Sequence, residues 1–205
     1  EQKPIRLLVI SAKNDSKIKK PFITAGRLQE ECKKKGLDSY IAHIEDAVIN
    51  KDKDITTISN HGSDIEWVID ENVIAIIRGS AASKDSYMDL VSQLEKMNVP
   101  CVNNRETVMM CADKYWSSIK LREVGVTQPR SALVRSKDTL QESIESIDLD
   151  YPFILKTLRG SKGVGVMFIE SERSLKALVA MLYKLDPDVE FIVQQFIESD
   201  GDVRV

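Results

Sequence analysis

The chain is short of cysteine, aromatic residues, charge of a single sign and long apolar runs, and each shortage removes a class of protein. It has three cysteines in 205 residues, Cys32, Cys101 and Cys111. That is an odd number, at spacings that fit no metal-ligand pattern, which argues against a disulfide framework or a zinc module. So little cysteine suits a reducing, cytoplasmic setting, and Cys101 after Pro100 reads as a small buried residue. The formal net charge is −3, from 29 Lys and Arg against 32 Asp and Glu. The two signs are mixed along the chain, so the basic stripe of a nucleic-acid binder is missing and no nucleic-acid partner is expected. The local basic runs, Lys17 to Lys20 around Ile18 and Lys33 to Lys35, read as solvated faces. The second precedes Gly36, where cations suit a helix C-terminus. No apolar run approaches the roughly 20 residues of a membrane span. Glu1 to Pro4 is polar with no apolar signal core behind it, so neither membrane attachment nor export is expected. Glu1 in place of a start methionine suggests a trimmed chain.

What remains is an ordinary soluble composition, 42% hydrophobic and 30% charged, long enough for one large domain or two small ones. Ile5–Ile10 is a β-branched run bounded by Pro4 and by Ser11 to Asp15, and it reads as a buried strand. Ile23, Leu28 and Cys32 fall on one helical face, stopped at Gly36. Ser39–Ile44 and Val73–Ile77 are further strands, and Lys51–Ile69 is weaker, with a turn at Asn60-His61-Gly62 between two short extended pieces. A helix over Ser83–Asn98 aligns Tyr87, Leu90, Val91, Leu94 and Met97. Pro100-Cys101-Val102 is a short edge element. This β-α-β alternation predicts an open parallel sheet over residues 1–104. From Arg105 the pattern changes to two helical pieces, Arg105–Cys111 and Asp113–Val124, with Asp113 favoured as an N-cap. A strand at Ser131–Val134 follows, then a helix capped by Ser136 or Asp138. Next come strands at Phe153–Thr157 and Val164–Ile169, a helix over Ser171–Leu185 and a strand at Phe191–Ile197. The fold class is α/β, with a second unit over residues 105–205.

The informative segment is Phe153-Ile-Leu-Lys156-Thr-Leu-Arg-Gly160-Ser161-Lys162-Gly163-Val164-Gly165-Val. A strand delivers Lys156, three glycines follow in a turn, and a strand returns. Glycine lets the backbone approach phosphate oxygens and aim N–H groups at them, while lysine adds a compact positive charge. No Gly-Lys-Ser/Thr closes the turn, and the third glycine position of a dinucleotide fingerprint holds Phe168, so two common phosphate loops are excluded. Read alone, the segment also fits a plain hairpin with a surface lysine.

Its neighbours widen the pattern. Lys114 stands near a helix start, and Val193-Gln194-Gln195-Phe196-Ile197 runs from a strand into Glu198-Ser199-Asp200-Gly201-Asp202-Val203-Arg204. Together these motifs resemble ATP-grasp enzymes and are most similar to RimK-like glutamate ligases, over most of the chain and most strongly from Val99 onward. The resemblance implies a pre-ATP-grasp domain at 1–104 and the first part of an ATP-grasp domain at 105–205.

It implies ATP as cofactor, with Lys114 and Lys156 on opposite cleft walls contacting the phosphates or the adenine end. Gly160, Ser161, Lys162, Gly163 and Val164 would form a flap over the phosphates. Gln194, Gln195, Phe196 and Ile197 form the connecting strand, and the backbone of Gln195 and Phe196 would pair with adenine. Asp202 would hold the ribose hydroxyls. Many relatives have Glu at Gln195 and Tyr at Phe196. Ile154, Val193 and Phe196 could wall the adenine, and are also good core residues. The Mg2+ ligands, a late Asp and a Glu-x-Asn pair, are expected downstream of Val205, so the 205 residues alone are expected to be inactive.

The implied activity is an ATP-dependent carboxylate–amine ligase working through an acyl phosphate. It would add an amino acid, glutamate, to a protein or small-molecule acceptor, as a possible homo-oligomer. A nucleotide-binding module without catalysis is the alternative, and a plain α/β protein the third reading. Arg78, at the end of a strong strand, and Arg204 are the candidate catalytic residues, either of them suited to clamp a substrate carboxylate. For Arg78 a surface salt bridge competes. His43 reads as a satisfied structural histidine, and His61 has no identifiable partner.

Overall fold

The computed structural model describes residues 4–12, 23–78, 87–159 and 165–201. The chain divides into two compact units, Glu1–Met109 and Met110–Val205. The division falls inside a helix rather than ahead of it, because Val108 and Met109 pack against the first unit's core.

In the first unit, β1 (Arg6–Ser11), β2 (Ser39–His43), β6 (Val73–Arg78) and β7 (Cys101–Val102) form a parallel sheet in the order β2-β1-β6-β7. β7 is an edge strand, as the short Pro100-Cys101-Val102 element suggests. The strands read as unbroken apolar runs because both faces are covered. Leu8, Ile10, Ala42, Val73 and Ala75 point into one core with Met88, Leu90, Val91 and Leu94 of helix α2 (Tyr87–Lys96). Val9 alternates to the opposite face, where α1 (Ile23–Lys34) lies against β1 and β2 and buries Ala25 and Cys32.

Two sequence expectations change here. The two extended pieces of the weak stretch before Val73 are β4 (Ile55–Asn60) and β5 (Trp67–Ile69), as expected, but a further strand, β3 (Ala47–Asp52), completes a three-stranded antiparallel sheet with them. β3 escapes a sequence reading because it is a polar edge strand, with only Ala47 and Ile49 packed against the core. His43 is not the satisfied histidine expected. Its Nδ1 is buried with no hydrogen-bond partner, while its backbone N–H donates to Asn60 Oδ1 at 2.7 Å.

In the second unit, β8 (Ser131–Val134), β9 (Phe153–Thr157), β10 (Val166–Ile169) and β11 (Phe191–Gln195) make an antiparallel sheet in the order β10-β9-β11-β8. One face buries Val134, Phe153, Leu155, Ile169, Phe191 and Val193. Against it lie Ile144 of α5 (Leu140–Ser146) and Leu175 and Val179 of α6 (Glu172–Leu185). The period-2 alternation of the strands therefore sends Ile154, Lys156, Ile192, Gln194 and Ser131 to the other face. The N-cap position of α5 is Thr139 rather than Ser136 or Asp138, and its side chain makes no capping hydrogen bond. The Thr139 hydroxyl is instead held in a local turn, donating to Ser136 O at 3.0 Å. β11 stops at Gln195 instead of Ile197, since its last cross-strand partner is Phe153, where β9 begins. Among the described residues no helix is long and apolar enough to cross a membrane.

Candidate anion and nucleotide site

β9 and β10 form the antiparallel hairpin that brings Lys156 to the open face, with Lys156 opposite Val166. Its root is closed by Thr157 N–H donating to Gly165 O at 2.9 Å. Gly165 has φ +79°, and a Cβ there would overlap Thr157 Oγ1, so a side chain is excluded on two grounds. Thr157 Oγ1 in turn donates to Arg159 O at 2.8 Å.

Helix α4 (Lys114–Glu123) starts at the same root. Its N-cap is Asp113, as the sequence suggests, with Oδ1 accepting from Tyr115 N at 2.9 Å and Trp116 N at 2.8 Å. The first helical residue, Lys114, is stitched to the end of β9. Its backbone N–H donates to Leu158 O at 3.1 Å, and its ammonium donates to Thr157 O at 2.9 Å and to Leu158 O at 3.3 Å. Lys114 thus holds the root of the glycine-rich turn as well as carrying charge.

Between α4 and the open sheet face lies a pocket of about 430 Å³. Lys114, Ser118 and Leu121 line it from α4, and Ser131, Lys156, Ile192 and Gln194 from the sheet, with Gln128 and Pro129 beside them. Among the described residues that line it, the charged ones are two lysines, with no carboxylate. Burial holds the Lys114 ammonium below its ordinary pKa, with Asp113 opposing the shift. Lys156 is lowered by burial first and then by the neighbouring charge of Lys114. Two partly desolvated cations in one pocket disfavour each other, and an anion between them relieves both effects. Lys156 donates to Gln194 Oε1, and Gln194 is one of the predicted site residues. Ser118 is 7% exposed, with its Oγ buried and unpartnered. Ser118, Gln128, Ser131 and Cys111 were not singled out from the sequence. The first of them lies one helical turn after Lys114, a spacing that periodicity could have exposed.

The connecting strand is more committed than the sequence suggests. Gln195 N–H already donates to Arg130 O at 2.8 Å, and its side-chain Oε1 accepts from Arg130 N at 3.4 Å. Phe196 and Ile197 are exposed, and Phe196 meets Phe168 edge to face at 5.0 Å. Val193 is fully buried in the core on the opposite face, so it walls no ligand there, while Ile154 is half-buried on the open face. Arg78 ends β6 and is exposed at the carboxyl edge of the first unit's sheet. Gly160, Ser161, Lys162, Gly163, Val164, Asp202 and Arg204 lie outside the described residues. Among the described residues no group of three or more His, Cys, Asp or Glu could hold a metal ion.

This α/β fold is shared with enzymes of the ATP-grasp class. A RimK domain protein of ATP-grasp type from Sphaerobacter thermophilus aligns with TM-score 0.65 at 19% identity, over 95% of this chain and 65% of that one. D-alanyl-alanine synthetase A from Vibrio cholerae aligns with TM-score 0.69 at 13% identity, over 97% of this chain and 61% of that one. Residues 111–205 match the family model of the RimK-like ATP-grasp domain. A probable alpha-L-glutamate ligase of Histophilus somni is 35% identical over 109 residues, 52% of this chain and 35% of that protein. N-acetylaspartylglutamate synthase A of Mus musculus is 26% identical over 137 residues, 64% of this chain and 35% of that protein. The chain thus spans about a third of the length of these curated relatives.

Proposed function

We propose that this chain binds ATP and belongs to an ATP-dependent carboxylate–amine ligase that adds glutamate to a protein or small-molecule acceptor. The observation that carries the reading is the pocket where Lys114 and Lys156 meet with no carboxylate among its described lining residues. The names of the two curated relatives, a glutamate ligase and a synthase of a glutamate-containing product, support the choice of amino acid.

In this reading the two ammonium groups take the nucleotide's phosphates, with Gly160, Ser161, Lys162, Gly163 and Val164 closing over them. Ile154, Phe168 and Phe196 offer an apolar surface to the adenine ring. With Gln195 N–H engaged by Arg130, the Gln195 carbonyl and the Phe196 N–H are the backbone groups assigned to read its edge. Asp202 accepts from the ribose hydroxyls, and Arg78 or Arg204 clamps a substrate carboxylate. A carboxylate oxygen of one substrate attacks the γ-phosphorus and ADP leaves. The amine of the other substrate then displaces phosphate from the acyl phosphate and forms the amide. The lysines contribute by neutralising charge that shifts along the triphosphate. Mg2+ would supply further neutralisation, but the described residues do not form a site for it, so no step is assigned to it. A cytoplasmic setting and a homo-oligomer accompany this proposal.

The test is ATP consumption by the whole protein to which this chain belongs, with glutamate and candidate acceptors, followed by mass spectrometry of the acceptor. ADP release coupled to a one-glutamate mass gain is expected. ATP binding with no turnover on any carboxylate would refute the ligase and leave a nucleotide-binding module.

A further inference from the structure

The contact between Lys156 and Gln194 runs diagonally across the sheet. In register, Lys156 faces Ile192 and Gln194 faces Ile154, so the two side chains share the open face one residue pair apart. The Lys156 ammonium reaches over to donate to Gln194 Oε1. Both residues line the pocket under α4.

We propose that Gln194 is a positioning residue that holds the Lys156 ammonium, charged and aimed, for a phosphate group in this pocket. The inference rests on the nucleotide reading and adds a role for Gln194 that direct contact with adenine does not include. Three groups surround the Lys156 charge. Lys114 from α4 is cationic and opposes it, and Cys111 from the end of α3 (Arg105–Ala112) is the other titratable group among the described lining residues. The strands β8, β10 and β11 add no ionisable side chain to the lining; from β11 comes the neutral carboxamide of Gln194. An amide oxygen bonds to an ammonium but not to a neutral amine's lone pair, so Gln194 favours the protonated form. It does so without introducing the negative charge that would repel phosphate. A leucine at this position keeps the bulk and loses the acceptor, while a glutamate keeps the acceptor and adds a charge.

Direct titration of ADP into the full chain from pH 7.5 upward, with adenosine as the phosphate-free control, separates the possibilities. That range lies above the titration of the terminal phosphate, near pH 6. Wild-type affinity for ADP falls as pH rises through the lowered Lys156 pKa. In Gln194→Leu the fall begins about one pH unit lower, and ADP binds about tenfold more weakly at the starting pH. In Gln194→Glu the fall begins at higher pH than in wild type, with weaker binding throughout. Adenosine affinity shows no corresponding dependence on pH in wild type or in either variant. Coincident pH profiles for wild type and both variants overturn the inference while leaving the nucleotide reading intact. A wild-type chain that binds neither ADP nor ATP overturns the nucleotide reading and the inference with it.

Discussion

Replacing Gly165 by alanine tests the hairpin root most sharply. Two costs coincide there. A non-glycine residue at φ +79° pays about 1–2 kcal/mol for its backbone conformation. The new methyl also overlaps Thr157 Oγ1, forcing the β9 end to shift or Thr157 to leave its rotamer, for about 1–3 kcal/mol more. The sum, about 2–5 kcal/mol, falls on a unit of roughly a hundred residues, where each kcal/mol moves Tm by about 4–8 °C. Thr157→Ala removes the overlapping Oγ1 and leaves the backbone term, with a close contact to the residue 157 Cβ. Thermal unfolding of wild type, both single variants and the double variant forms a double-mutant cycle. Gly165→Ala is expected to lose at least 8 °C alone and roughly half as much in the Thr157→Ala background. Equal losses in both backgrounds would refute the overlap as a cause.

Other outcomes follow from single features. Asp113→Ala removes two N-cap hydrogen bonds and is expected to lower stability by about 1 kcal/mol in chemical denaturation. Phe153→Ala or Phe191→Ala, each emptying a fully buried core position, is expected to cost about 3–5 kcal/mol. Ser118→Ala removes a buried hydroxyl with no partner and is expected to leave Tm unchanged or raised, measured by calorimetry. Lys114 and Lys156 have depressed pKa values when folded, so the unfolded chain binds more protons as pH climbs towards the ordinary lysine value. Their contribution therefore stabilises the ligand-free fold with rising pH over that window, while phosphate affinity falls. Denaturation midpoints and ADP titrations across the same pH series should move in opposite directions.

Much of the fold was legible because periodicity survives where one face is buried. β9 was read residue for residue, since Phe153 and Leu155 alternate with Ile154 and Lys156. The Asp113 cap was legible from local chemistry alone. β3 was not, because a polar edge strand lacks the apolar alternation that marks a buried one. The site was legible in its charges and not in its contacts. Lys114 and Lys156, 42 positions apart, share a pocket because α4 begins where β9 ends. No local pattern showed that Lys114 bonds the carbonyls of Thr157 and Leu158, nor that Arg130 occupies the N–H of Gln195. Such bonds depend on strand register, which is set by the whole sheet.

Isothermal titration of ADP into wild type and Lys156→Met addresses the two-lysine pocket most directly. A phosphate-binding pocket predicts ADP binding by wild type, a loss of about tenfold or more in Lys156→Met, and unchanged affinity for adenosine. Equal ADP affinity in the two proteins, or no binding to wild type, would contradict it.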